Sequence, residues 1–218
     1  MKKNSLSVLI ALFVFGGLLT SCTKNDPDPV NTDPLPFLFG TDGNQSNTGT
    51  QIGNGDQEFA IVPGNYTLPK NTYVMKGWIY VSDGATLTIP AGTVIKGDKD
   101  TKAALIVEPG GKIIAQGTST QPIIFTSNQP AGSRKPGDWG GVILCGNAKN
   151  NQAQAQIEGG PRTTYGGSND DDNSGVLSYV RIEFAGYPFA VDKEINGLTM
   201  GSVGRGTKID HIQVSYSN

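Results

Sequence analysis

The stretch V-S-D-G-A-T-L-T-I, Val81 to Ile89, returns 26 residues later as V-E-P-G-G-K-I-I-A, Val107 to Ala115. Each copy closes an apolar segment, turns through glycine and continues with alternating apolar residues. Each then reaches a Gly-Thr pair, Gly92-Thr93 or Gly117-Thr118, and a further apolar run, Val94-Ile95 or Ile123-Ile124-Phe125. The unit is strand, glycine turn, strand, turn, strand. Two-residue alternation gives a strand one apolar face, and glycine opens turn conformations closed to other residues. Strands this short cannot bury that face alone, so units of this period must stack on copies of themselves.

A second pair of segments shows how they stack. Leu177 to Ala185 and Ile209 to Ser217 keep apolar residues in matching places at an offset of 32. Parallel stacking at the strand spacing of ~4.8 Å puts Val180 over Ile212, Ile182 over Val214 and Phe184 over Tyr216. Val180, Ile182, Ile212 and Val214 are then expected to share one core. Unequal offsets of 26 and 32 fit a parallel β-helix whose turns bulge differently in each coil, and fit a propeller poorly. The expected fold is all-β, with polar side chains on the outward side of every rung.

A chain of 218 residues has room for one such domain plus a tail. Thirty glycines, with modest aromatic and charged content, favour short strands and tight turns. The net charge of −2 and the scattered Lys and Arg give no phosphate-binding footprint, so nucleic acid is not an expected partner.

Lys2 and Lys3 precede an apolar run from Leu6 to Leu19, shorter than the ~20 residues that span a bilayer. Residues 1–21 read as a signal peptide. The following Leu19-Thr20-Ser21-Cys22 resembles a bacterial lipobox, which implies that Cys22 is acylated and tethers the mature chain to a membrane. Residues 22–57, with three Asp-Pro pairs and little apolar content, read as an extended linker, and 58–218 as the β-helix body. Lys24, Asp26 and Asp28 resemble the surface-export signal of Bacteroidota lipoproteins, which implies an outer-membrane, cell-surface location.

T-L-T-I-P-A-G-T-V-I-K-G (86–97), I-F-T-S-N (124–128) and G-D-W-G-G-V-I-L (137–144) resemble the β-helix lipoproteins of Bacteroidota, from about Tyr73 to the end. The resemblance implies a right-handed, single-stranded, pectate-lyase-like parallel β-helix. It also implies further coils, so Ile209 to Ser217 is expected to be an interior rung of a longer protein.

The candidate site residues are few. Trp139, between glycines, is a candidate sugar-stacking platform. Arg181 and Glu183 share the outward side of one strand and His211 lies on the next copy, which makes them candidate ligand-binding residues. Asp170, Asp171 and Asp172 cluster hard oxygen donors of the kind Ca²⁺ takes, without the spaced pattern of a dedicated Ca²⁺ loop. Cys145, in V-I-L-C-G, reads as a buried small hydrophobe. With one histidine and no Arg-plus-carboxylate cluster, the expected function is a non-catalytic scaffold binding extracellular polysaccharide. A polysaccharide lyase or hydrolase, or a structural or adhesive surface component, is the alternative.

Overall fold

The computed structural model describes residues 50–218, except 153, 191 and 192. The signal segment and Cys22 lie outside the described residues. The first coil is Thr50–Ile52 (β1), Phe59–Ile61 (β2) and Gly64–Thr67 (β3), and the second Thr72–Met75 (β4), Trp78–Val81 (β5) and Ala85–Ile89 (β6). The third is Val94–Gly97 (β7), Ala104–Val107 (β8) and Lys112–Gln116 (β9). Then come Ile123–Ser127 (β10), Gly141–Cys145 (β11), a short hairpin of Ala155–Gln156 (β12) and Thr164–Tyr165 (β13), and Gly175–Glu183 (β14). A second hairpin, Pro188–Ala190 (β15) and Lys193–Glu194 (β16), leads to Leu198–Gly201 (β17) and Lys208–Ser215 (β18). All regular structure among the described residues is β.

Every coil strand pairs in parallel with its counterpart one coil away, which builds three faces. Face A stacks β1, β4, β7, β10 and the second half of β14. Face B stacks β2, β5, β8, β11 and β17. Face C stacks β3, β6, β9 and the first half of β14. β18 lies along both halves of β14. The molecule is a parallel β-helix, and the repeats set its register: Val81 pairs with Val107, Leu87 with Ile113, and Ile182 with Val214.

Among the described residues the stack already includes Thr50–Ile52, ahead of the expected body at 58, because Ile52 is buried and its strand pairs with β4. The two Gly-Thr pairs are not stacked on each other, since Val94 pairs with Ile124 at an offset of 30. Leu177 to Glu183 is not one flat strand. Tyr179 adopts φ 50°, and the chain turns a corner there, so 175–178 pair with β9 and 180–182 with β10. His211, at φ 49°, turns the same corner in β18. Leu177 and Val180 therefore both point inward although they are three residues apart.

The interior is a column of side chains from all three faces, including Tyr73, Ile79, Leu87, Ile95, Leu105, Ile113, Phe125, Val142 and Ile182. Val180 and Ile182 are fully buried, Ile212 half-buried and Val214 44% exposed, because β18 has only β14 as a strand neighbour among the described residues. On faces A and C the outward positions are largely polar, as in Thr86 and Thr88 of β6.

Face B departs from that pattern. Its strands W-I-Y-V, A-L-I-V and G-V-I-L-C are buried at every residue. Ile79, Val81, Leu105 and Val107 face the column, while Trp78, Tyr80, Ile106, Ile143 and Cys145 face outward into a second apolar cluster. Two excursions cover it, 146–174 and 184–197, through Ile157, Tyr165, Phe189 and Ile195. The expectation of polar outward positions fails here because a sheet covered on both sides reads as a continuous apolar run.

Candidate ligand-binding face

Trp139 is the best-defined residue of G-D-W-G-G, and it belongs to the core. Its ring lies over Gly97, where any Cβ would come within 2.6 Å of the indole, and it stacks on Phe125 at 6.4 Å between centroids. Its Nε1–H donates to the Glu183 carbonyl at 2.8 Å. Fully buried, it cannot present a face to an external sugar, which corrects the expectation of a stacking platform. Asp138 beside it accepts from Ser127 Oγ (2.7 Å) and the Lys135 N–H (3.0 Å), and pairs with Lys99 (3.1 Å). Burial pushes this carboxyl upward, but those donors prevail and hold it below its ordinary range. The motif is a corner plug.

The three aspartates do not converge. Asp170 pairs with Lys149 at 3.7 Å and accepts its backbone N–H, Asp171 pairs with Arg205 at 2.9 Å, and Asp172 is buried beside Ser174. Among the described residues no group of three His, Cys, Asp or Glu side chains is placed to hold a metal ion.

Arg181, Glu183 and His211 are brought to one side of the molecule. Alternation after the Tyr179 corner turns Arg181 and Glu183 outward on face A, beside Gln213 and Ser215 of β18. Arg181 Nη2 donates to Glu183 Oε1, and Thr126 Oγ1 donates to Oε2 at 3.1 Å. With both oxygens engaged and 7% exposure, Glu183 forms the floor, contrary to its expected solvent-facing place, while the Arg181 side chain remains 43% exposed. Arg134, from the loop after β10, donates to Thr126 Oγ1 at 3.4 Å and roofs the strip below Glu183.

His211 stands at the corner between faces C and A. Its ring stacks on Tyr179, 4.2 Å between centroids and 14° from parallel, and its Nδ1 lies 3.1 Å from Asp210 Oδ1. Asp210 also accepts from Ser178 Oγ and pairs with Lys208 at 3.1 Å. The Ser178 hydrogen bond first, then those from His211 and Lys208, hold its carboxyl far below the usual range, so it stays ionised. The far corner of face A repeats the device: Phe184 (φ 60°) and Tyr216 (φ 55°) stack at 5.1 Å and 10°. None of these four rings belongs to the apolar column.

The 32-residue echo places Phe184 over Tyr216, as observed, but composition and motif reading missed that pair, with Tyr179, Gln213 and Ser215, as parts of this strip. A signal for them exists: the inward apolar residues slip from a spacing of two to three at Leu177–Val180 and again at Ile182–Ala185, which marks a corner at each end of Arg181 to Glu183.

A family model for the pectate-lyase-like β-helix domain matches residues 61–218. The chain belongs to that family. Comparison with curated proteins and with solved structures gives no match. The match covers all of this β-helix from the end of β2 onward, including both excursions over face B and the polar strip of face A.

The strip can hold hydroxyl groups. Its exposed donors and acceptors are the Arg181 guanidinium, the Gln213 amide and the Ser215 hydroxyl, set between aromatic corners five residues apart, about 16 Å along the strand.

Proposed function

We propose that this β-helix domain is a non-catalytic, lipid-anchored surface scaffold that binds extracellular glycans across face A. The observation that carries the reading is the strip between the Tyr179–His211 and Phe184–Tyr216 corners, which offers donors, acceptors and apolar ring edges side by side. A polyol chain presents the complementary mixture of hydroxyls and C–H surfaces, and an open sheet face accommodates an extended polymer. The signal-like segment and the lipobox-like residues ending at Cys22 support tethering to the outer membrane, each buried methylene of an acyl chain contributing ~0.8 kcal/mol.

Binding is favoured over a lyase or hydrolase because the acids near Arg181 are already engaged. Glu183 has both oxygens bonded, and Asp210 is held ionised by three donors, which suits neither to deliver a proton. The test is affinity electrophoresis of the full chain, purified in detergent, against a panel of plant and microbial polysaccharides. Retardation by at least one is expected, weakened at least about tenfold in Arg181→Ala and Tyr179→Ala. No retardation by any polysaccharide would reject the reading. Unsaturated uronate products that vanish in Arg181→Ala would replace it with the lyase. For the anchor, a palmitate analogue should label the parent and not Cys22→Ala.

A further inference from the structure

Face A concentrates positive charge in a chain whose net charge is −2. Lys96, Thr126 and Glu183 stand on successive rungs of one outward row, and Val94, Ile124 and Arg181 on the same rungs of the row beside it. Arg134 reaches Thr126, on the middle rung, from its loop at 3.4 Å. Glu183 is the one carboxylate among these residues, so Lys96, Arg134 and Arg181 leave an excess of two positive charges. The adjoining loops do not offset it: apart from Arg134, residues 98–103 and 128–140 hold three lysines and three aspartates. Donors are also left open. Arg134 gives Nε to the Gln129 carbonyl and Nη1 to the Thr126 hydroxyl, both uncharged, and pairs with no carboxylate among the described residues. Arg181 gives Nη2 to Glu183 and keeps Nη1, and the Lys96 ammonium has no partner among the described residues. Lys96 and Arg181 lie two rungs apart, about 10 Å at the strand spacing, with Arg134 between them.

Resting on the glycan-binding reading, we infer that face A selects sulfated polysaccharides, with a sulfate ester seated among Lys96, Arg134 and Arg181. An anionic chain is drawn to the excess charge and makes charge-assisted hydrogen bonds to the open donors. A sulfate ester fits them better than a carboxylate does. Its three terminal oxygens can accept from three separate side chains, where a carboxylate has two, and its diffuse charge suits guanidinium groups, which are weakly hydrated. Val94 and Ile124, half-buried in the adjoining row, offer apolar surface to the C–H side of the sugar ring. Polyuronates are attracted by the same charges and bind less tightly.

The experiment measures full-chain affinity for κ-carrageenan, its chemically desulfated form, polygalacturonate and alginate, in sodium buffers of low and high salt. At low salt κ-carrageenan should bind at least about tenfold more tightly than each of the other three, and high salt should remove most of that advantage. Lys96→Gln, whose ammonium holds nothing in the fold, should lose about fivefold or more for κ-carrageenan and less than about twofold for the desulfated chain. Arg134→Gln should lose at least as much, with circular dichroism to verify folding. Lys112→Gln, outward on face C, locates the effect and should change affinity less than about twofold. Equal binding of the sulfated and desulfated galactans, or tighter binding of either polyuronate, would overturn the inference and leave glycan binding intact. So would a loss in Lys112→Gln as large as that in Lys96→Gln. Retention of none of the four chains removes the inference, and failure across the wider panel removes the binding reading too.

Discussion

Face B and face A are made of strands of the same length in the same coils, yet they present opposite surfaces. Face B is apolar on both sides and carries two excursions packed on its outside, whereas face A meets a buried apolar cluster only inward and displays Arg181, Gln213 and Ser215 among its outward residues. A β-helix coil supplies one buried side to every strand as a matter of geometry; a second buried side exists only where inserted chain covers it. The insertions enter at the corners around face B, after β11 and after β14, and Arg162 fastens the first of them. Its guanidinium reaches Glu58 (2.8 Å) and Glu108 (3.2 Å) and lies 4.2 Å over the Tyr80 ring, spanning three coils.

The comparison is broken most severely by charge. Ile143→Asp, outward on face B and fully buried, should destabilise by several kcal/mol, because the carboxylate has no partner under the excursions. The same change at Ile124, outward on face A and half-exposed, should cost less than about 1 kcal/mol. Paired denaturant melts give both values, and equal losses would mean that the two faces are covered alike.

A second, smaller effect is carried by pH. Burial first, then the Glu108 charge, pushes the Cys145 thiol up from 9.0 to about 12. A thiol raised in the folded state contributes stability that is fully present below 9.0. That contribution is lost as pH climbs from there toward about 12, because the unfolded chain releases the proton first. Melting temperature should fall above pH 9 more steeply in the parent than in Cys145→Ala, and the native thiol should resist alkylation at neutral pH.

Smaller still, Arg162→Ala should cost about 1 kcal/mol, since its ion pairs are partly exposed and the ring contact adds little. Its sharper signature is local: faster alkylation of Cys145 with the interior column unchanged, which would assign the latch to the cover. The least effect is expected at face C, where Thr86→Val should stay within about 0.5 kcal/mol because its side chain faces outward with no excursion over it.

Much of this architecture is legible before any coordinates. The 26-residue echo sets Val81 on Val107, and the 32-residue echo sets Ile182 on Val214, because side-chain alternation punishes a one-residue slip by turning every apolar group outward. Cys145 in its apolar run reads as buried, and it is. The site is half legible. Arg181, Glu183 and His211 do gather on one side, but the alternation pattern alone makes Leu177 to Ala185 a single strand and hides the corners at Tyr179 and Phe184. Trp139 misleads because flanking glycines suit both an exposed platform and a close-packed plug, and only the missing side chain at Gly97, forty-two residues away, decides between them.

By itself the sequence determined the parallel stacking, its register and the apolar column, since these follow from periodicity, and periodicity is a property of neighbours along the chain. Tertiary structure alone decided which outward surfaces are covered and where Glu183 sinks from surface to floor. Those outcomes depend on what distant segments, 146–174, 184–197 and the loop with Arg134, bring against a strand from outside, and no local pattern encodes the arrival of a residue from another coil.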